Sequence, residues 1–503
     1  MQKPPVAAVA LGVFAALAAL LPILYLVLRL TEGFDAALAE LLRPRTLELL
    51  GNTLLLTVSV SITALVVGAT QAWLTVRSNI SAAGLFAVLA TLPLAIPSYV
   101  LALGFLSIFP SMSGFWASWF VLSLATSPYV FLAVSAALIR TSNATEEVSR
   151  SLGVGRLQTL AKVTWPQVRP AAFASLLLVS LYTLSEFGAI ALLRYDTFTR
   201  AIYNAYRGSF DRTAAASLAL LLVLITLLVI WFERRYRGDY LASPSFSGRR
   251  VRVELGVWRL PAQLGLLALA GIGAGIPVVA LSIWSFAGSS RAEAGDLSAA
   301  LWSSLSVALL AGAVIGIFAL AIAIWNLRFH SKLSAIVDGT TWAAHALPGV
   351  VVALALVFFG ANYLQPLYQT IWLLVFAYLI LFLPNALAPI GTPVAQVPVS
   401  IEQVARSLGL SKNRALAKVV LPIATPGVIA GVALASLTVL KELPATLLLK
   451  PNGFDTLASR LWQATETLSY AQAAPYALLL IIIAGVPALW LNAQARKLVS
   501  EVS

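Results

Sequence analysis

Long uncharged stretches recur along this chain, separated by short polar passages. They cover residues 6–28, 52–76, 213–232, 260–290, 297–327 and 467–495. A helix needs about 20 apolar residues to cross the hydrocarbon core of a bilayer, where every backbone group must bond internally. Each stretch therefore predicts one membrane-spanning helix. Residues 78–139 carry no charge and read as two spans, broken near 110–114. Residues 339–401 behave alike and break near 360–366. Residues 170–193 and 422–449 are also apolar, but each holds an acid inside. The pattern predicts an all-α polytopic membrane protein of about 12 transmembrane helices. Strands fit poorly, because the runs are too long and do not alternate.

Composition agrees. The chain is 60% hydrophobic and 11% charged, against roughly 25% charged in soluble proteins. The first span, with 23 uncharged residues at 6–28, is longer than a signal-peptide core and reads as a retained helix. With no cysteine, thiolate metal sites and disulfides are excluded.

The net charge of +13 could suggest nucleic acid or an anionic membrane face, and its distribution decides. With the N-terminus inside, Lys3, Arg77, five residues in 140–169, seven in 234–259, two in 328–332, four in 406–418 and two at 496–497 lie on the inner side. That is 22 of the 33 lysines and arginines. The bias is that of cytoplasmic loops. It predicts cytoplasmic N- and C-termini and a basic cytoplasmic linker at 234–259, with lipid rather than nucleic acid as the contact.

The polar passages reveal a duplication. "EEVSRSLGVGRLQTLAKVTWPQVRP" at 146–170 and "EQVARSLGLSKNRALAKVVLPIATP" at 402–426 agree at 12 of 25 positions. Residues 52–79 lie over 303–330, and 95–105 over 346–356, which places Pro97 on Pro348 and predicts a kink in both spans. The chain thus divides into a first six-span repeat (1–233), the linker (234–259) and a second six-span repeat (260–503). An even number of spans gives both repeats one orientation, so they are parallel. The duplicated passage suits an amphipathic helix, a glycine turn and a second segment ended by proline. Two matching cytoplasmic surfaces imply a partner with two equivalent sockets, most simply a two-fold dimer.

The spacing Glu147, Gly153, Val163, Pro166, repeated as Gln403, Gly409, Val419, Pro422, resembles the "EAA" loop of ABC importer permeases, with Glu146 or Glu402 as the neighbouring acid. Trp165 stands where that loop usually has leucine. The words "LSEFGAIALLRYDTFTRAIY" and "KELPATLLLKPNGFDTLASRLW" look like passages of fused ferric-iron permeases. The resemblance implies a type I ABC importer permease fold in a bacterial inner membrane and two copies of a cytoplasmic ABC ATPase. It also implies an extracytoplasmic ferric-binding protein, with Fe(III) as transported substrate and no permanently bound cofactor. On this reading Glu146, Glu147, Arg150, Ser151, Gly153 and Pro166, with Glu402, Arg406, Ser407, Gly409 and Pro422, couple the chain to the ATPase. No lysine follows a glycine, so the chain lacks a phosphate-cradling Gly-Lys-Ser/Thr ending, and ATP must be hydrolysed on the partner subunit.

Charges inside spans are costly and mark pathways. Glu186 and Glu442 are related by the same offset as the loops and are expected to face each other. Two carboxylates suit a hard cation, and Tyr182 lies one turn before Glu186. Buried acids neutralised by a neighbour are the plainer alternative. Lys441 is a gating or charge-pairing residue. Arg194, Asp196, Arg200 and Arg207 lie outside, as a docking surface for the binding protein or as ordinary loop salt bridges. His345, beside the Pro348 kink, reads as core packing. Thiamine or polyamine cargo, and a secondary transporter, are the alternatives for function. A membrane enzyme is disfavoured by the lack of catalytic clusters.

Overall fold

The computed structural model describes residues 4–141, 143–208, 211–236, 253–287, 292–344 and 347–501. His345 and most of the basic linker, 237–252, lie outside them. The described residues are almost wholly helical, with a single isolated β-bridge. Nine of the helices are long and apolar enough to cross a membrane, or eleven if each of two sharply bent pairs counts as one span. The last helix, Tyr470–Glu501, begins with a shorter apolar stretch, Tyr470–Gly485.

The bent pairs are the spans carrying Pro97 and Pro348. Ala83–Ala95 meets Ser98–Leu106 at 90°, and Lys332–Ala344 meets Gly349–Asn362 at 108°. Both prolines sit in extended backbone immediately before the second helix. Proline cannot donate the hydrogen bond that would carry the helix through, and its ring disfavours helical geometry in the preceding residue. The predicted kink is therefore a complete break.

The chain folds as two compact units, and these cut across the two sequence repeats. One contains 1–41, 202–223 and 292–466. In it, the first helix, Val6–Glu32, packs on Ala294–Arg328, Lys332–Ala344 and Gly349–Asn362 of the second repeat. Gly12 makes this possible, since a Cβ there would stand 2.8 Å from the Trp325 ring. Phe14 packs against Phe318 and Phe376. The other unit contains 42–201, 224–291 and 467–503. There the second repeat's opening helices pack on the first repeat's broken span. Gly104 meets Pro277, where a Cβ would come within 2.6 Å. Each repeat core thus takes its first span from the other half of the sequence. An apolar helix carries little information about which half it belongs to, and small residues that admit close backbone approach decide its neighbour.

Within each unit the core is a set of tightly crossed helices. Pro44–Arg77 packs on Gly114–Arg140 with Gly68 against the Ser127 carbonyl, and Ala294–Arg328 packs on Leu421–Lys441 with Gly312 and Gly316 against Val432.

Candidate functional site

The duplicated passages fold alike. The first is a helix, Asn143–Ser151, a turn at Gly153, a short helix Arg156–Thr159, a π-helical turn Leu160–Thr164 and the long helix Trp165–Ser185. The second is Val399–Ser407, a turn at Gly409, Lys412–Ala415, the π turn Leu416–Val420 and Leu421–Lys441. From the π turn onward, each boundary in the second copy lies 256 residues after its match. Pro166 and Pro422 follow the π turns directly, near the start of a helix, where the missing N–H costs least.

Both turns need glycine. Gly153 has φ +79° and Gly409 φ +92°, a region that strains a side-chain-bearing residue. The second copy shows the helix-ending pattern in full. Leu410 N–H donates to the Ala405 carbonyl at 3.2 Å and Gly409 N–H to the Arg406 carbonyl at 3.0 Å. In the first copy Val154 N–H donates to the Ser149 carbonyl at 3.1 Å.

Four residues beyond the predicted set belong to these surfaces. Val148 is 58% and Leu152 76% exposed, and their matches Val404 and Leu408 are 58% and 80% exposed. Each pair lies four residues apart on one helix face. The signal was legible, since all four are identical between the copies and apolar in a polar passage. Ser151 and Ser407 donate back to the Val148 and Val404 carbonyls at 2.9 and 2.8 Å. Gly153, Gly409, Arg406, Pro166 and Pro422 are exposed.

Glu146 and Glu402 differ from this surface set by facing inward. Glu146 accepts a hydrogen bond from Thr164 at 2.7 Å and pairs with Arg77 at 3.1 Å, with side chains only 13% and 6% exposed. Glu402 is buried. A carboxylate so placed can brace the passage from within but offers little to a docking protein. The helix phase explains it, for residues 146 and 148 point to different sides.

The second constellation is the pair of helix breaks at Glu186 and Glu442. Each residue ends a long helix in extended backbone, φ −66° and −75°, and a short helix follows: Gly188–Leu192 and Pro444–Leu449. Each carboxylate caps that short helix. Glu186 Oε1 accepts from Ala189 N–H at 2.9 Å, and Glu442 accepts from Ala445 N–H at 3.0 Å and Thr446 N–H at 3.1 Å. The acid satisfies amide donors that would otherwise be orphaned. Ser98 adds a hydrogen bond to Glu186 at 2.8 Å, and Tyr182 shares this site, its ring 5.9 Å from that of Tyr129. In the second copy Gly349 takes the place of Ser98, and a Cβ on it would lie 2.6 Å from Glu442 Oε1. Lys441 is the last residue of its helix, directly before Glu442. Glu186 lies in one compact unit and Glu442 in the other. Among the described residues, no group of three or more His, Cys, Asp or Glu is placed to hold a metal ion.

The loops that follow the two short helices carry ion pairs. Asp196 pairs with Arg200 and with Arg45. In the matching loop Asp455 pairs with Lys450 at 2.7 Å and Arg460 at 3.1 Å, and Arg460 lies 3.8 Å from Asp296. Burial pushes the Asp455 carboxyl up, but the Lys450 hydrogen bond and the charges of Lys450 and Arg460 bring it net below the ordinary value. Arg207 donates to the Leu447 carbonyl at 3.4 Å, and Arg194 is exposed, with φ +55°.

The family model described as "Binding-protein-dependent transport system inner membrane component" matches this chain twice, over residues 61–237 and 312–502. The chain is 36% identical over 504 residues to the "Fe(3+)-transport system permease protein FbpB 2" of Haemophilus influenzae, covering 99% of this chain and all of that one. It is 28% identical over 240 residues to the "Sulfate transport system permease protein CysT" of Escherichia coli, covering 43% of this chain and 86% of that one. A relative matched along most of its own length by under half of this chain fits a duplicated permease.

Proposed function

The chain belongs to the family of binding-protein-dependent transport system inner membrane components, and on that premise we propose that it imports ferric iron. It is a multi-pass permease subunit of an ABC importer, whose family implies an ATPase and a substrate-binding protein as partners. The observation that carries the cargo is the 36% identity, along 99% of this chain, to a permease named for Fe(3+) transport. The binding protein is then a ferric-binding one outside the membrane. Two copies of the ATPase sit inside, one under each polar passage, with both chain termini on that side. ATP is bound and hydrolysed on the ATPase, and the permease holds no permanent cofactor.

The docking surface is the exposed helix before each glycine turn. It carries Ser151 in one copy and Arg406 and Ser407 in the other, and Glu147 and Arg150, whose side chains lie outside the described residues, belong to the first helix. Val148, Leu152, Val404 and Leu408 supply the apolar contact. Closure of the ATPase dimer moves both surfaces. Such motion drives transport only if ATP binding favours one permease state over the other.

Cargo passage is governed by the breaks at Glu186 and Glu442. Tyr182 flanks the first and Lys441 the second, setting the charge a cation meets. Fe(III) is a hard acid that prefers oxygen donors, and these carboxylates supply them. Outside, Arg194, Asp196, Arg200 and Arg207 contribute to binding-protein docking, with Asp196 and Arg200 held by their ion pairs.

Transport into vesicles containing the permease, its ATPase and the binding protein tests this reading. Fe(III) should accumulate with ATP, and thiamine and spermidine should not. Accumulation of either organic cation in place of iron refutes the cargo.

A further inference from the structure

The two polar passages share a backbone but not the attachment that backs it, and this difference bears on coupling. In the first copy, Arg77 ends the helix Pro44–Arg77 and reaches both the Thr141 hydroxyl and Glu146. Thr164, in the π turn, closes on the same Glu146 oxygen at 2.7 Å. One part-buried carboxylate thus ties the polar helix to the end of one span and the start of another. A short linker segment reinforces the same point. Val253 N–H donates to the Arg77 carbonyl at 2.7 Å, Asn79 N–H donates to the Val253 carbonyl at 3.1 Å, and Ser78 and Val253 form a parallel bridge. Leu255 N–H then donates to Asn79 Oδ1 at 3.1 Å.

The second copy is built otherwise. Arg328, the match of Arg77, donates to the Val394 and Val397 carbonyls at 2.8 and 2.7 Å. Val397 and Val420 stand where the first copy has Thr141 and Thr164, so neither position offers a hydroxyl to Glu402. The turn after Arg328 closes on itself, with Ser331 and Ser334 exchanging hydrogen bonds at 3.1 and 3.0 Å.

We infer that Arg77, Glu146 and Thr164, clamped by the linker segment at Val253, form a rigid strut in the first half only, so that the importer's two ATPase contacts are coupled to the spans unequally. These are positioning residues. Part-buried ionic hydrogen bonds fix geometry, and a helix tied to two spans moves with its supports instead of rocking on them. The inference rests on the importer reading above, because only a motor working on both passages makes unequal attachment matter.

The chain has no cysteine, so single cysteines introduced at Ser151 or Ser407 can each carry a spin label without background. In the full chain in lipid, the label at 151 should be the less mobile. Thr164→Val, which installs the residue the second π turn already tolerates, should raise mobility at 151 to that at 407, and Thr164→Ser should restore it. With the ATPase and binding protein present, Thr164→Val and Val253→Pro should each lower cargo carried per ATP by roughly two- to twelvefold, the scale of one lost hydrogen bond. ATPase recovery should be unchanged. Equal mobility at the two positions in the unaltered chain, or an unchanged transport ratio in Thr164→Val, would overturn the strut. Failure of the unaltered complex to couple ATP to uptake would instead overturn the importer reading, with the mobility difference still measurable.

Discussion

Substituting the two turn glycines separates backbone strain from steric exclusion. Gly153 and Gly409 hold φ +79° and +92°, and no heavy atom lies within 4 Å of a Cβ built on either. Alanine therefore meets no neighbour, and its cost is conformational, about 1–2 kcal/mol per position. That energy changes the population of the native turn by a factor of roughly 5–30. If the turn presents the docking helix, each Gly→Ala change should weaken ATPase association by up to that factor. The double variant should show the summed free energies if each turn acts only on its own ATPase contact, and any departure from the sum measures coupling between the two contacts. Asparagine is larger but tolerates positive φ better, so Gly→Asn should weaken binding less than Gly→Ala. Titrating the ATPase onto permease in lipid discs reads each value. An inverted order, with the larger residue worse, would mean that space and not φ sets the requirement. No change with alanine at either position would remove these turns from the docking surface.

Three further outcomes follow from the geometry. Gly349→Ala puts a Cβ 2.6 Å from Glu442 Oε1 and should displace the cap of Pro444–Leu449. Uptake should fall, while Ser98→Ala, which removes a hydrogen bond without adding bulk, should be milder in the same vesicle assay. Glu442→Gln keeps one acceptor where the carboxylate uses two, and should cost about 1 kcal/mol of local stability, read as faster amide exchange at Ala445 and Thr446. Asp455 has a folded pKa below its unfolded value. Its ion pairs therefore stabilise its loop fully above the ordinary carboxylate range at pH ~4, and that contribution disappears as pH falls through the lowered value. Thermal melts of wild type and Asp455→Asn should converge under acid, and parallel curves down to acid would contradict the assignment.

The sequence alone determined the class, the approximate number of spans, the duplication and the polar passages. Each is written locally. A bilayer span is a run of apolar residues, a helix end is a glycine where φ must be positive, and a break is a proline without a hydrogen to donate. It also marked Glu186 and Glu442 as exceptional, because a charge in an apolar run needs a reason wherever it sits. Tertiary structure decided what local pattern leaves open. That Val6–Glu32 packs on the second repeat depends on Gly12 fitting under Trp325, a match invisible until both helices are placed. That Glu146 braces Arg77 and Thr164 depends on the end of a span 69 residues away converging with the π turn on one oxygen. Glu186 and Glu442, which stand inside apolar runs, prove to cap the helices that follow them, since only the folded backbone shows the long helix stopping there. Hydrophobic periodicity selects the solvent a residue prefers, and small contacts among distant residues select its neighbour.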